Sequence, residues 1–295
     1  MKLLTYRTGG EETLGVLSED GKEIYALEQF GILYRSMNEL IAHMDAAAIR
    51  ELDEKIVRMD GKSAAENTEK CAPIPRPGQD LICLGINYAA HAEESARYKK
   101  EAFEKDREYA IYFSKRVNEA VADEGIIELH EGLVDSLDYE AELAVVIGQT
   151  ARNVPADRVR DYIFGYTIVN DISARNVQTR HKQWYFGKSL DGFTPMGPWI
   201  VTADEIAYPP VLSISSYVNG ELRQNASTAQ LLFGIDEIVS ELSSGMTLLP
   251  GTIIITGTPS GVGMGMRPPQ FLKAGDFVEC RIEGIGSLCN TIGEI

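Results

Sequence analysis

The sequence has few cysteines and no long uninterrupted hydrophobic run, and both shortages narrow the class of protein. The cysteines show neither CxxC spacing nor the density of a disulfide scaffold, which predicts reduced thiols. They are Cys71, Cys83, Cys280 and Cys289. The longest uncharged stretch, 246–266, is interrupted by Gly, Pro, Ser and Thr, which argues against a membrane helix. The amino-terminal residues lack the apolar run of a signal peptide. We therefore expect a cytoplasmic protein.

Positive charge is also scarce. The 295 residues contain 28 Lys and Arg against 44 Asp and Glu, which gives a formal net charge of −16. A surface of this sign repels polyanions, so nucleic acid and anionic membranes are excluded as expected partners. If the ligand is a small anion, a few local cations must hold it. A phosphate-binding loop is also missing, because 261-GVGMG-265 lacks the lysine and the following helix.

The chain is predicted to divide in two. Residues 1 to about 70 contain short strand-like segments and a helical stretch from Met37 to Met59. Three prolines and a glycine in 71–80 break any helix and mark a domain entry. We therefore assign residues 1–72 to a small amino-terminal α/β domain and residues 73–295 to a larger domain.

The larger domain is predicted to be β-rich, in an α+β fold. Asn87 is expected to cap a helix that carries residues 88–98, and the charged segment 95–110 is expected to form a polar, mobile helix or loop. Beyond it, strand-like runs alternate with turn residues. Helical periodicity interrupts them at 153–163, from about Ser173, and at 228–245.

Three acidic residues beside predicted strands form the most informative pattern. Glu140 and Glu142 are two residues apart in a strand-like segment, so their side chains face the same side. The apolar residues 143–147 follow them, and Asp171 ends another apolar strand. An unpaired carboxylate there is unfavourable, so a cation should compensate it. Three carboxylates without a nearby His or Cys suit a hard divalent cation such as Mg²⁺. The alternative is a solvated edge strand followed by a turn.

A second pattern places a histidine beside an acid. His91 and Glu94 are three residues apart and share one face of the predicted helix. A carboxylate next to an imidazole fixes its tautomer and raises its basicity, as a general base for water activation requires. The alternative is a surface histidine with a partner.

Polar residues that follow the acids supply candidate substrate contacts. Arg175 lies four residues after Asp171, which predicts one shared helical face, and Gln178 continues that face. Lys188 stands among aromatic residues, where partial desolvation favours binding a carbonyl or carboxylate. The loop 256-TGTPSGVG-263 offers backbone amides and the Thr258 hydroxyl to an anionic oxygen. Surface cations and a plain turn are the alternatives.

In their order and spacing these motifs resemble the fumarylacetoacetate hydrolase family, from about Pro75 to the carboxyl terminus. The segments that carry the resemblance are 84-LGINYAAHAEE-94, 138-DYEAELAVVIG-148, 170-NDISARNVQ-178, 187-GKS-189, 256-TGTPSGVG-263 and 275-GDFVECRIEGIGSL-288. The resemblance implies a mixed β-roll of distorted sheets behind a small amino-terminal domain, and a homodimer.

The resemblance also implies roles for individual residues. Mg²⁺ or Mn²⁺ would be bound by the three acids, the helix pair would be the base dyad, and a lysine and a threonine would contact substrate. In that order the residues are Glu140, Glu142, Asp171, His91, Glu94, Lys188 and Thr258. Lys115 falls in a segment that resembles the family's substrate-facing loop, which implies anion binding.

Two positions depart from the family pattern. Ile86 stands where members often carry arginine, and Asn176 where they often carry aspartate. Both lie near the expected substrate site, so they bear on which substrate fits.

These observations lead to a functional hypothesis with two alternatives. The hypothesis is a metal-dependent hydrolase that cleaves a carbon–carbon bond in a small anionic 2-oxo acid, an acylpyruvate or another 2,4-dioxo acid, with water activated by the dyad. The first alternative is decarboxylation of oxaloacetate, which needs no attacking water. The second is a non-catalytic, metal-bound scaffold or regulatory protein.

Overall fold

The computed structural model describes residues 1–58, 64, 68–99 and 108–294. Within these ranges the chain is a sheet-rich α+β protein, which confirms the predicted fold class. The strands are β1 (Lys2–Thr8), β2 (Glu11–Leu17), β3 (Ile24–Ala26), β4 (Glu69–Lys70), β5 (Leu81–Gly85), β6 (Ile111–Lys115), β7 (Ile126–Glu128), β8 (Leu137–Asp138), β9 (Ala141–Ile147), β10 (Ile163–Asn170), β11 (Ser173–Ala174), β12 (Met196–Thr202), β13 (Ser213–Val218), β14 (Glu221–Ser227), β15 (Ile253–Ile255), β16 (Phe277–Ile282) and β17 (Gly286–Gly293).

Helices are fewer than strands in the described part of the chain. The α-helices are α1 (Met37–His43), α2 (Ala46–Arg58), α3 (Ala89–Lys99), α4 (Arg175–Arg180), α5 (Tyr185–Lys188) and α6 (Ile235–Gly245). Short 3-10 helices span Leu27–Phe30, Ala156–Tyr162, Ala203–Glu205, Thr228–Gln230 and Gly263–Gly265. None of these described helices combines the length and the apolar character needed to cross a membrane.

Two sheets form the framework. The larger is mixed and runs in the order β3-β2-β1-β12-β10-β9-β15-β5-β6, with β4 paired to β1, while the smaller runs β14-β13-β16-β17-β7. Strand β9 lies in the middle of the larger sheet and is buried along its whole length. Its alternate residues enter two cores: Leu143 and Val145 pack in the cluster that contains β16, and Ala144 and Val146 pack in the cluster that contains α1. Burial on both faces explains its continuous apolar sequence.

The amino-terminal strands extend the same sheet. Strand β1 pairs antiparallel with β12, with Lys2 opposite Val201 and Leu3 opposite Ile200. The division of the chain between residues 72 and 73 stays a prediction.

Several helix boundaries differ from the predicted ones, for local reasons. The stretch from residue 37 is two helices, because the Asp45 carboxylate accepts the N–H groups of Ala47 and Ala48 at 2.9 Å and starts α2. Residue 59 and residues 100–107 of the predicted mobile segment lie outside the described residues. Helix α6 begins only at Ile235, because Gly234 is extended and its N–H bonds to Glu237 Oε2 at 3.3 Å.

Two further helical predictions were wrong in detail. Residues 156–162 form a 3-10 helix rather than an α-helix, directly after Pro155. The Asn87 side chain does not cap α3; it bonds to Phe233 and to the carbonyl of Thr256, and so fixes the chain between β5 and α3 to the segment before α6.

Candidate active site

The three acids converge because β9 and β10 are antiparallel neighbours. Glu142 at the start of β9 lies opposite Val169 near the end of β10, so the chain that leaves β10 passes beside the chain that enters β9. The Asp171 N–H donates to the Glu140 carbonyl at 2.8 Å, and the Glu140 N–H donates to Asn170 Oδ1 at 2.9 Å. One carboxylate oxygen from each acid lies within 4.8 Å of the other two. We call Glu140, Glu142 and Asp171 the acid trio.

Two buried lysines contact the acid trio. Lys188 Nζ donates to Glu140 Oε2 at 2.6 Å and also to Asp171 Oδ2. Lys115 Nζ donates to Asp171 Oδ1 at 2.7 Å and to the Ile172 carbonyl at 3.0 Å. Lys115 is 0% exposed and Lys188 is 2% exposed, so neither ammonium group is shared with bulk water. Asp171 therefore forms ion pairs with two buried lysines.

Glu142 is the acid with the least compensation. Its Oε2 accepts the Gly257 N–H at 2.7 Å, and no described lysine or arginine forms an ion pair with it. Burial raises the pKa of Glu142 well above its usual range, and the negative charges of Asp171 and Glu140 add to the rise. Burial alone would also raise the pKa of Glu140, but the charges of Lys188 and Arg175 outweigh it and lower that pKa. Within the acid trio, Glu140 and Asp171 thus form ion pairs with described cations, whereas Glu142 does not.

This donor set fits a hard divalent cation. All three residues offer carboxylate oxygens close enough to share one ion, and all three are buried. Oxygen-only ligands are those that Mg²⁺ and Mn²⁺ accept. The acid trio can therefore hold such an ion, which would also supply the positive charge that Glu142 lacks.

The histidine and glutamate of α3 form a buried pair. His91 Nδ1 and Glu94 Oε2 are 3.2 Å apart, and both side chains are buried. The Gly261 N–H also donates to Glu94 Oε1, at 3.1 Å. A Cβ at residue 265 would lie 1.8 Å from Glu94 Oε1, so only glycine leaves space for this carboxylate. Because Nδ1 faces the carboxylate, Nε2 is the nitrogen left to act as a base.

One cavity is lined by His91 of the dyad and by Glu140 and Glu142 of the acid trio. It contains about 370 Å³ of empty space, part of which is open solvent, and its lining can be divided into polar and apolar residues. The polar side consists of His91, Ser95, Glu140, Glu142, Arg175, Gln178, Lys188 and Thr258, and the apolar side of Leu84, Ile86, Phe113, Trp184 and Met264. Gly85 also lines it, and a Cβ there would lie 2.4 Å from the Trp184 ring. The cavity is small and partly open to solvent, and its lining combines charged and apolar side chains.

Arg175 lines the cavity, but its position relative to helix α4 differs from the predicted one. Helix α4 begins at Arg175, so Asp171 is not on its face. The guanidinium group instead donates to Asp138 Oδ2 at 2.9 Å, to Glu140 Oε1 at 2.6 Å and to Gln178 Oε1 at 3.1 Å. The expected helical face shared by Arg175 and Asp171 was therefore wrong, although Arg175 does line the cavity.

Thr258 and Lys115, the two other predicted substrate contacts, already have hydrogen-bond partners within the protein. The Thr258 hydroxyl donates to the Ala141 carbonyl at 3.0 Å and accepts from Gln224 Nε2 at 2.7 Å, so its proton is already used. Lys115 is not among the residues that line the cavity; it lies behind the acid trio, on Asp171. A substrate contact from either residue stays a prediction.

Ile86 shows an unusual backbone at the cavity wall. Its φ is +59°, in the left-handed region that a β-branched side chain rarely adopts. Such strain is often found where a residue is held for function. This is one of the two positions at which the sequence departs from the pattern that it resembles, and here Ile86 presents an apolar side chain to the cavity.

Sequence reasoning missed one buried acid at the site, Asp138. It stands two residues before Glu140 in the same motif and is fully buried. Its carboxylate binds Arg175 and two backbone amides of the loop after β15. The signal that could have identified it was its i, i+2 spacing from Glu140.

Comparisons with known proteins agree with this arrangement. The model of the fumarylacetoacetate (FAA) hydrolase C-terminal domain matches residues 80–293. The protein named oxaloacetate tautomerase YisK from Bacillus subtilis is 47% identical over 223 residues, which cover 75% of this chain and 72% of that protein.

Solved structures extend the likeness to the whole chain. The fumarylacetoacetate hydrolase EaFAH from Exiguobacterium antarcticum superposes with a TM-score of 0.83 at 36% identity and covers 100% of both chains. The maleylpyruvate hydrolase from Sphingobium sp. SYK-6, solved with manganese(II) and pyruvate, superposes with a TM-score of 0.77 at 28% identity and covers 100% of this chain and 99% of that one. The chain therefore belongs to the fumarylacetoacetate hydrolase family, whose members are enzymes.

Proposed function

We propose that the protein is a divalent-metal-dependent enzyme that moves a proton at carbon 3 of a small 2-oxo acid, with oxaloacetate as the candidate substrate. The observation that carries the proposal is the buried His91–Glu94 pair, whose histidine lines the same small cavity as Glu140 and Glu142. A base on one side and a cation-binding cluster on the other suit removal of a proton next to a carbonyl. The name of the Bacillus subtilis relative supports oxaloacetate as the first substrate to test.

The dyad would carry the proton. Glu94 accepts the Nδ1–H of His91, so Nε2 takes the proton from carbon 3 of the substrate, and the carbon–hydrogen electron pair becomes the C2–C3 double bond. The imidazolium, stabilised by Glu94, then returns the proton to the C2 oxygen, which completes the keto–enol conversion. If the imidazolium first exchanges its proton with solvent, return of a solvent hydrogen to C3 instead completes a hydrogen exchange. Glu94 is itself held by the Gly261 N–H, so the imidazole keeps its orientation.

The polar side of the cavity would hold the charged end of the substrate. Glu140, Glu142 and Asp171 would bind the metal ion, which when bound stabilises negative charge on a neighbouring oxygen. Lys188 and Arg175 place positive charge at the same end of the cavity, where a carboxylate of the substrate would lie. The apolar wall at Ile86 and Trp184 excludes water from the other side.

Hydrolysis of an acylpyruvate is the second candidate function. The structural relatives named as hydrolases of fumarylacetoacetate and maleylpyruvate support it. The same dyad would then deprotonate a water molecule that attacks the distal carbonyl, and Lys188 would stabilise the resulting oxyanion. Decarboxylation of oxaloacetate needs neither step, so it depends least on His91.

Exchange of the carbon 3 hydrogens for deuterium tests the shared step. We expect the protein with Mg²⁺ or Mn²⁺ to accelerate this exchange in oxaloacetate or pyruvate, and His91→Ala to lose about 10²–10⁴-fold of the acceleration. His130→Ala is the matched control, because His130 also pairs with a glutamate, with Nδ1 3.4 Å from Glu128 Oε1, and does not line the cavity. Reactions without protein, at the same metal concentration, measure the background.

Product analysis then separates the candidate reactions. Enol and ketone alone identify a tautomerase, pyruvate with carbon dioxide identifies a decarboxylase, and cleavage of an acylpyruvate panel identifies a hydrolase. No exchange with any divalent ion tried would overturn the proposal and favour a metal-bound scaffold. The homodimer and the cytoplasmic location stay predictions.

A further inference from the structure

A buried carboxylate that the proposed reaction does not use connects the two sides of the site. Asp138 is fully buried at the end of β8 and accepts four hydrogen bonds. Its Oδ1 accepts the N–H groups of Gly263 at 2.7 Å and Tyr139 at 3.0 Å. Its Oδ2 accepts Arg175 Nε at 2.9 Å and the Met264 N–H at 3.0 Å. Four donors satisfy a buried charge without leaving a lone pair for a ligand.

Asp138 is connected to the acid trio by hydrogen bonds through Arg175. The guanidinium group that Asp138 holds by Nε donates to Glu140 Oε1 at 2.6 Å through its second terminal nitrogen. The planar guanidinium has a rigid geometry, so fixing Nε also fixes where the other nitrogen meets Glu140. The orientation of one acid of the trio thus depends on Asp138.

Asp138 is also connected to the His91–Glu94 base, through the loop 261–265. Asp138 fixes the amides of Gly263 and Met264, and Gly261 in the same loop donates to Glu94 at 3.1 Å. The Gly261 carbonyl accepts the Tyr139 hydroxyl at 2.9 Å, so the residue next to Asp138 holds the same loop. The loop is tightly packed there, because a Cβ at residue 263 would lie 2.8 Å from Asp138 Oδ1 and 2.2 Å from the Gln270 carbonyl oxygen.

We propose that Asp138 is a positioning residue that aligns the His91–Glu94 base with the acid trio. It touches neither the substrate cavity nor the acid carboxylates directly, and acts through Arg175 on one side and through the loop 261–265 on the other. The inference rests on the proposed function, since it assigns the two sides their roles. Residues that orient ligands in this way typically change metal affinity or activity by about 10–100-fold when they are replaced.

Mn²⁺ binding and deuterium exchange, measured on the 295-residue chain, test the inference. Asp138→Asn keeps the shape but places an amide group against N–H donors, so we expect about 10–100-fold weaker Mn²⁺ binding and a similar loss of exchange rate. Tyr139→Phe removes only the bond to the Gly261 carbonyl, so it should lower the exchange rate and leave Mn²⁺ affinity unchanged. Asp123→Asn is the matched control: Asp123 accepts Lys70 Nζ at 2.7 Å and the Cys289 N–H at 2.9 Å, away from the cavity lining.

A double-mutant cycle separates positioning from general loss of structure. If Asp138 acts through the base, Asp138→Asn should reduce the residual exchange rate much less in a His91→Ala background than in the wild type. Equal effects in both backgrounds, or an Asp138→Asn protein that matches Asp123→Asn in both measurements, would overturn the inference. If Asp138→Asn does not fold, as judged by thermal unfolding, Asp138→Ser keeps one acceptor and takes its place under the same criteria. A wild type that neither binds Mn²⁺ nor exchanges would overturn the proposed function instead.

Discussion

Replacing Glu142 by glutamine should stabilise the metal-free protein and remove its response to metal. Glu142 is buried beside two other carboxylates, and among the described residues its side chain accepts a hydrogen bond from the Gly257 amide and forms no ion pair. A glutamine of the same shape can still accept that N–H, and its amide group can donate to a neighbouring carboxylate. The variant therefore relieves repulsion between like charges but loses one ligand of the acid trio. Stability and function are expected to move in opposite directions.

The expected changes in Tm, without metal and with it, can be calculated from typical free energies and entropies of unfolding. A single stabilising substitution commonly yields about 0.5–2 kcal/mol. Unfolding carries about 2.1 cal/mol/K per residue, so over the 295 residues of this chain 1 kcal/mol corresponds to a shift in Tm of about 1.6 °C. We expect the metal-free variant to melt about 1–3 °C above the metal-free wild type. At a metal concentration of about 100 times Kd, the wild type should gain about 2.7 kcal/mol, or about 4 °C, and the variant almost nothing.

The pH dependence has a defined sign. The folded-state pKa of Glu142 is raised by burial and by its acidic neighbours, so folding favours the protonated form. The stability contributed by this proton is fully present below the ordinary pKa of 4.5 and is lost as pH rises through the folded-state pKa. The Tm difference between Glu142→Gln and the wild type, measured in chelator, should therefore grow from about pH 4.5 upward.

Differential scanning calorimetry with chelator and with Mg²⁺ or Mn²⁺ measures these shifts. The control is Glu279→Gln, because Glu279 bonds to Arg281 Nε at 2.6 Å and this hydrogen bond lowers its pKa. That substitution should reduce Tm slightly and equally in both conditions. A Glu142→Gln protein that is less stable than the wild type without metal, or that gains as much Tm from metal, would refute the reasoning.

Two further predictions concern the neighbours of the acid trio and the dyad. Lys188→Met removes a cation that contacts two acids of the trio, so Mn²⁺ titration should show at least tenfold tighter binding while exchange activity falls; weaker binding would contradict the competition between ammonium and metal. Gly265→Ala places a Cβ 1.8 Å from Glu94 Oε1 and should lower the exchange rate at least tenfold, whereas Gly245→Ala, with no atom within 4 Å, should leave it unchanged. Equal rates in both alanine variants would show that Glu94 tolerates displacement.

The predictable part of this site is the part encoded in strand periodicity. Glu140 and Glu142 interrupt an apolar run, and Asp171 ends another, so the unfavourable burial of carboxylates identifies all three from the sequence. The i, i+3 spacing of His91 and Glu94 likewise predicted the contact that α3 makes. In each case the interacting residues lie within one element or at the ends of adjacent strands.

The parts that sequence reasoning missed depend on loops that join distant elements. Arg175 was expected to share a helical face with Asp171, but α4 begins at Arg175 itself and its guanidinium group turns back to Asp138. The amides of Gly263 and Met264 reach Asp138 across more than 120 positions of sequence, and no periodicity encodes that contact. Asn87 was expected to cap a helix, but it bonds across the fold to Phe233.

The balance of buried charge explains how so acidic a protein can attract an anionic substrate. Around the cavity, Asp138 and the acid trio face three buried cations, Lys115, Lys188 and Arg175. When all four of these carboxylates are ionised, this cluster, counted without Glu94 of the dyad, carries one formal negative charge, which is the same sign as the net charge of −16 on the whole chain. A bound divalent cation would reverse that sign locally, in a place where burial weakens screening by water and salt. Anion binding should therefore depend on the metal through charge alone, independently of any chemical step. With the metal bound, this cavity would carry local positive charge although the protein as a whole is acidic.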